Sequence, residues 1–271
     1  MNRIFFSDNG ILNDWTKELN SYHVGSKVFN YTTNQDALYI GSRLPFNHIY
    51  FKLKELNAVS ATMTVQYWNN NWENVVELRD ETAGLTQSGF VTFTPDRDSS
   101  WTMENESEDV TGLSTVQVYD KYWVKITFNA TLTNTTEISW LGQIFCDDYD
   151  LGAEYPELTR QNTYMAFQNG KISWEEQCVK ASEILSQDLI DKQIIEDKAQ
   201  ILNKEDYKNA AVCKVAELIF NAFGDDYIDQ RQRAREEYQL RLSKKIHRVD
   251  LNQNAVEDIS ERKNTSGWLN R

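Results

Sequence analysis

Two hydrophobic periods divide the chain. From about residue 1 to 150, apolar side chains recur at every second position. Ala61, Met63, Val65 and Tyr67 alternate with Thr62, Thr64 and Gln66, and Val124, Ile126, Phe128 and Ala130 alternate with Lys125, Thr127 and Asn129. Ile49, Phe51 and Leu53 alternate with Tyr50 and Lys52 in the same way. Such alternation makes half-buried antiparallel strands, apolar toward a core and polar toward water. Runs at 38–40, 75–78, 89–93, 114–118 and 138–141 read as further strands, separated by turn-forming clusters at 69–71, 81–84 and 94–98. Many short strands at this spacing predict an antiparallel β-sandwich, jelly-roll-like.

Beyond residue 150 the period lengthens to that of a helix. Pro156 suits a first helical position, and Leu158, Met165 and Ala166 imply a short helix ending at Gly170. Ser173-Trp-Glu-Glu176 reads as a capping box. It opens a run with the stripe Trp174, Cys178, Ala181 and Leu185, continued by Leu189, Ile194, Ala199 and Leu202 as one helix or two. A helix over 204–223 carries Ala211, Val215, Leu218, Ile219, Ala222 and Phe223, with Asn203 and Asp206 to cap its start and Gly224 to close it. A charged helix over 226–247 follows, its stripe including Ile228, Ala234, Tyr238 and Leu242. Amphipathic helices on short joins pack as a bundle. The predicted fold class is therefore α+β in two domains, which 271 residues are enough to support. A β-sandwich occupies 1–150, an α-helical domain 151–247, and an extended C-terminal tail 248–271.

Charge and chemistry narrow the function classes. With 28 Lys and Arg against 41 Asp and Glu, the net charge is −13, so the chain does not hold a DNA backbone by charge alone. DNA can still pass beside it, and solubility by itself accounts for the acidity. Arg231, Arg235, Arg241, Lys244, Lys245 and Arg248 make the end of the last helix basic, either as a solvated face or as an interface for an acidic neighbour. Cys146, Cys178 and Cys213 are odd in number and widely spaced, which supports neither a disulfide framework nor a zinc site. No run approaches the roughly 20 apolar residues that span a bilayer, and the N-terminus does not read as a signal peptide. A reduced, cytosol-made protein without a membrane role is expected.

Candidate sites are few. His23, His48 and His247 fall in no nucleophile pattern, and the carboxylates Asp147, Asp148 and Asp150 show no acid and base roles that would define a glycosidase. That acidic cluster reads as a solvated linker in preference to a cation site. Asp250, Asn252, Asn254, Asp258 and Glu261 stand at positions 1, 3, 5, 9 and 12 of an EF-hand-like loop. Ala255 replaces the glycine such a loop needs, and Asx turns explain the same residues. No enzyme activity, metal or cofactor is expected. Six of the eight Trp residues lie in the β-rich half, where core packing competes with a sugar-stacking role; Trp68 and Trp72, across an Asn-rich turn, are the candidate exposed glycan platform.

Two resemblances add to this. Tyr39-Ile-Gly-Ser-Arg-Leu-Pro-Phe-Asn-His-Ile-Tyr-Phe51, Val65-Gln-Tyr-Trp68, Trp72, Leu78-Arg-Asp-Glu-Thr82 and Ser88-Gly-Phe-Val91 resemble β-sandwich modules of tailed-phage virion proteins, themselves similar to discoidin-like carbohydrate-binding domains. Ala210-Ala-Val-Cys-Lys-Val-Ala-Glu-Leu-Ile-Phe220, the charged helix over 231–248 with Tyr238, Val249-Asp-Leu-Asn-Gln-Asn254, Ser260-Glu-Arg262 and Gly267-Trp-Leu-Asn-Arg271 resemble the head-to-tail adaptor (neck, head-completion) proteins of tailed bacteriophages, over 154–271.

The second resemblance implies a structural virion protein. Neighbouring copies would form a ring below the portal, a dodecamer, joining capsid to tail at the head-tail connector. DNA would pass through without specific binding. The tail would dock on the portal protein through Asp250, Asn252, Asn254, Glu261, Arg262, Trp268, Leu269 and Arg271. The sandwich would project as a collar or meet other neck, tail or fibre proteins. A carbohydrate-binding or receptor-binding virion protein is the alternative.

Overall fold

A computed structural model describes residues 3–95, 101–103, 121–243, 246–253 and 263–264. The chain is α+β, sheet-rich in its N-terminal part and helical in its C-terminal part, and divides into two compact units, the first within Met1–Gly142 and the second within Gln143–Leu251.

The first unit is built on two antiparallel sheets. Six strands, β1 (Arg3–Asp8), β2 (Ile11–Asp14), β4 (Ala37–Ser42), β6 (Met63–Trp68), β7 (Trp72–Asn74) and β10 (Tyr122–Phe128), lie in the order β2-β1-β4-β10-β6-β7. Five more, β3 (Lys27–Val28), β5 (His48–Glu55), β8 (Glu77–Asp80), β9 (Gly89–Thr94) and β11 (Glu137–Gly142), lie in the order β3-β11-β5-β9-β8. A five-residue helix, α1 (Thr16–Asn20), sits between β2 and β3 in sequence. The alternating positions are buried as the sequence predicts: Val65 and Tyr67, Val124 and Ile126, Ile49 and Phe51. Trp101 touches Tyr67 of the six-stranded sheet and Phe93 of the five-stranded sheet, with ring centroids 6.1 and 6.5 Å away.

Two departures from the expected strands have clear causes. β1 shows no alternation because both of its faces are covered. Phe5 packs on Trp123 (5.8 Å), while Phe6 packs on Trp15 (4.6 Å) and Phe29 (5.1 Å). The run at 75–78 is not one strand. The Val75 amide donates to Val65 O of β6 (3.2 Å) and the Val76 amide to Thr94 O of β9 (2.9 Å), so the chain changes sheets between these residues. The strand expected at 114–118 lies outside the described residues.

The second unit contains α2 (Asp148–Glu154), α3 (Gln161–Phe167), α4 (Glu175–Asp191), α5 (Glu205–Phe223) and α6 (Ile228–Ser243). α5 is the central element, packed by both α4 and α6, and its buried surface is wider than one stripe: Tyr207, Ala211, Val212, Val215, Ala216, Ile219 and Phe220. Its ends follow the expectation in part, since Asp206 does not cap the start. Asn203 Oδ1 accepts from the Glu205 amide (3.1 Å), and Gly224 takes φ +85° beyond the last turn.

The run after Ser173 breaks at Gln193, whose φ of +56° ends the helix, and a 3-10 turn at Lys198–Gln200 follows, capped by Asp197. α6 buries Ala234, Tyr238 and Leu242 but leaves Ile228 exposed, contrary to its expected place in the stripe. Beyond α6, β12 (Ile246–His247) pairs antiparallel with β13 (Lys263–Asn264), so the C-terminal segment is not simply extended as expected.

Two capping expectations change. Asp147, Asp148 and Asp150 are not a solvated linker. Asp147 caps α2, accepting from the Asp150 amide (3.0 Å), while the Asp150 carboxylate accepts from the Asp147 amide (3.3 Å). Ser173 does not cap α4. The Trp174 amide donates instead to the Asp148 carboxylate (2.8 and 3.1 Å), from 26 residues away. A distant carboxylate thus fixes the residue that precedes α4, and no side chain caps the first amides of the helix itself.

Candidate functional site

One face of the six-stranded sheet concentrates aromatic side chains. Phe5, Tyr39, Trp68 and Trp123 are buried together with Ala37, and Leu12 and Trp72 pack against them. Trp123 lies opposite Gly41 in the register, and a Cβ placed on Gly41 would meet its ring at 2.7 Å. The glycine makes room for the indole, which in turn covers the stretch of backbone it leaves bare.

The expected exposed pair is corrected here. Trp68 is only 5 % exposed, whereas Trp72 is partly buried. The Asn69-Asn70-Asn71 turn, with Asn70 at φ +56°, folds the chain back so that Trp72 stands directly across from Trp68. Their rings meet edge to face at 5.3 Å. Cross-strand pairing turns two residues four apart into a packed pair, and only Trp72 retains surface toward solvent. Trp72 also approaches Tyr39, at 5.5 Å between centroids.

Beside this cluster lies a groove of about 280 Å³. Its lining includes Ser7, Asp36, Tyr39, Lys125 and Thr127. The register sets Lys125 between Tyr39 of β4 and Gln66 of β6. Its Nζ stands 5.8 Å from the centre of the Trp72 ring. Among the described residues no carboxylate pairs with it, and burial pushes its ammonium pKa down. The Asp36 carboxylate in the same groove is satisfied by the backbone: it accepts from the Asn9 amide (2.8 Å) and the Thr32 amide (2.6 Å). Burial pushes the Tyr39 phenol up. In the sequence Lys125 is one polar position of an alternating strand. Only the strand register reveals that it adjoins the aromatic cluster.

The basic helix and the tail resolve into separate roles. Arg241 is held within the helical unit, donating to Glu154 Oε1 and Oε2 (2.9 and 2.8 Å) and to Asn209 O (3.0 Å). Arg231 donates to Asn221 Oδ1 (3.0 Å), and Arg248 faces Asp206 at 3.7 Å. Arg235 is exposed and lines a shallow groove along α6 with Gln232, Glu236, Gln239, Leu240 and Ser243. The four described basic residues, Arg231, Arg235, Arg241 and Arg248, thus do not form one open patch; Lys244 and Lys245 lie outside the described residues.

Asp250 is 1 % exposed, and its backbone is tied to Gln200 in both directions, amide to Gln200 O at 2.9 Å and carbonyl from Gln200 Nε2 at 3.0 Å. It therefore anchors the segment instead of presenting itself for docking. Val249 bridges Ile201, and the His247 ring stacks on Tyr207, with 2.8 Å between Nδ1 and the hydroxyl. Asn252 is exposed; Asn254, Glu261, Arg262, Trp268, Leu269 and Arg271 lie outside the described residues.

Among the described carboxyls of the helical unit, Asp148 is the one raised furthest. Burial pushes it up to about 6, against the lowering effect of the Trp174 amide. The three cysteines are buried and free. The Cys146 thiol and then burial push Cys178 up, which leaves it unreactive. Among the described residues no group of His, Cys, Asp and Glu is arranged to hold a metal, and no helix is long and apolar enough to cross a membrane.

No protein-family model matches the chain, and comparison with curated proteins and with solved structures returns no match.

Proposed function

We propose that the chain is a structural virion protein, a phage head-to-tail adaptor whose helical unit assembles with further copies into a ring below the portal and joins capsid to tail. The observation that carries this reading is the pinned root of the C-terminal segment. Val249, Asp250 and His247 are all buried against the helical unit, so the residues that follow leave from a defined place. A terminal segment with a fixed origin and the anchors Trp268, Leu269 and Arg271 suits capture by a partner's pocket. The exposed side of α6 around Arg235 and Leu240 is the surface offered to a neighbouring copy. On this reading the two sheets are the layers of a β-sandwich, jelly-roll or discoidin-like, carried outward as a collar module.

The test is a truncation that spares the root. Deleting 265–271 keeps β13, Val249 and Asp250 while removing the three anchors. Co-sedimentation with the cognate portal protein is expected to be lost, with the helical circular dichroism signal unchanged. Undiminished portal binding by the truncated protein would refute the docking role.

A second reading, a carbohydrate-binding virion module, is favoured by one observation: a groove lined by Lys125 and Tyr39, both of which neighbour the partly open Trp72 ring at its edge. Aromatic surface beside polar groups is the usual chemistry of a sugar site.

A further inference from the structure

We infer that the groove beside Trp72 selects a carboxylated sugar, with Lys125 as the group that recognises the carboxylate. This rests on the carbohydrate-binding reading and names its ligand class. The argument begins with an uncompensated charge. Lys125 is half-buried on the face of β10 opposite Val124 and Ile126, and among the described residues it has the Trp72 ring near it but no ion-pair partner, the Asp36 carboxylate of the same groove being taken up by the Asn9 and Thr32 amides. A cation taken partly out of water without a counter-charge destabilises the fold unless something else meets it. A ligand carboxylate placed in the groove meets it through a charge-assisted hydrogen bond.

The groove's other lining residues, and the Trp72 ring that adjoins it through Lys125 and Tyr39, decide what carries that carboxylate. Trp72 is the one member of the Trp68–Trp72 pair with open surface, and it offers a ring for an apolar sugar face. Thr127 and Ser7 supply neutral hydroxyls. Asp36 already accepts two backbone amides and has lone pairs left for a sugar hydroxyl. Its negative charge disfavours a dianion such as a phosphate monoester, and a single ammonium suits a single carboxylate. At about 280 Å³ the groove sits near the lower end of small-molecule sites, roughly 300–1,000 Å³, so it takes one sugar residue and not a chain.

The experiment uses the full chain on an array of sialic-acid-terminated and uronic-acid-containing oligosaccharides, each printed beside its carboxyl-reduced counterpart. The intact protein is expected to bind the acidic member of a pair about tenfold or more tightly, the worth of one charge-assisted contact. Lys125→Met should erase that preference and Lys125→Arg should keep most of it, with unfolding curves showing that both variants fold. Equal binding of acidic and carboxyl-reduced partners, or a preference that survives Lys125→Met, overturns the inference while leaving carbohydrate binding in place. Failure to bind any glycan, acidic or neutral, overturns both.

Discussion

Replacing Asp148 by Asn separates the effect of a buried charge from that of a hydrogen-bond acceptor. The Asp148 carboxyl accepts from the Trp174 amide at 2.8 and 3.1 Å and from the Tyr164 hydroxyl at 3.2 Å. Burial raises it from 3.8 to about 6, with Glu175 and Asp147 adding to the rise. A carboxyl whose folded pKa lies above its unfolded one is protonated more readily in the native state. The stability it contributes is therefore complete below 3.8 and is lost as pH rises through 6. Over the full window the shift corresponds to about 3 kcal/mol, of which about 2 kcal/mol falls between pH 4.5 and pH 7.

Asparagine retains an oxygen for the Trp174 amide but does not titrate. The variant should gain on the wild type by about 2 kcal/mol as pH rises from 4.5 to 7, roughly 1 M in urea midpoint. The assay is urea unfolding at five or six pH values in that interval, followed at 222 nm because the long helices lie in the second unit. Parallel pH profiles for the two proteins would refute the reasoning, since the carboxyl would then titrate alike in both states.

Two further substitutions test the sheet unit. Tyr31→Phe removes a buried hydroxyl that donates to Phe128 O (3.0 Å) and accepts from the Phe128 amide (2.8 Å). Leaving that amide unpaired should cost about 1–3 kcal/mol in denaturant unfolding, and a neutral outcome would mean that water or a neighbour replaces the hydroxyl. Gly41→Ala pushes a methyl into the Trp123 ring at 2.7 Å and should destabilise the same unit by about 1–3 kcal/mol while blue- or red-shifting its tryptophan fluorescence. Wild-type stability and emission would show that the indole moves aside freely. By contrast, Arg235→Ala should leave stability within about 0.5 kcal/mol, because the side chain is exposed, and should weaken self-association in sedimentation velocity if α6 is the ring contact. Unchanged self-association would remove α6 from the interface.

How much was legible in the sequence depends on how local each signal is. Period-two alternation located the strands at 63–67 and 124–128 because each has one covered and one wetter face; it also located 49–53, where Tyr50 proves as buried as Ile49 and Phe51 and only Lys52 is wetter. It missed β1, where Phe5 and Phe6 are covered on opposite sides, and it read 75–78 as one strand although the chain changes sheets between Val75 and Val76, because a change of sheet leaves no mark on hydrophobicity. Helix ends were read correctly where the capping residue is adjacent, as at Asn203 and Gly224. They were misread at Trp174, where the acceptor is Asp148.

The same divide runs through the candidate site. Composition and spacing singled out Trp68 and Trp72, but the hairpin register buries the first and leaves only the second partly open. Lys125 carried no signal of its own until β4, β10 and β6 were aligned. The sequence alone determined the class of each half and those turns and caps, such as Asn203 and Gly224, whose partners lie within a few residues. Which polar groups end up beside which rings was decided only by the tertiary structure, because strand order and register join residues that the chain holds tens of positions apart.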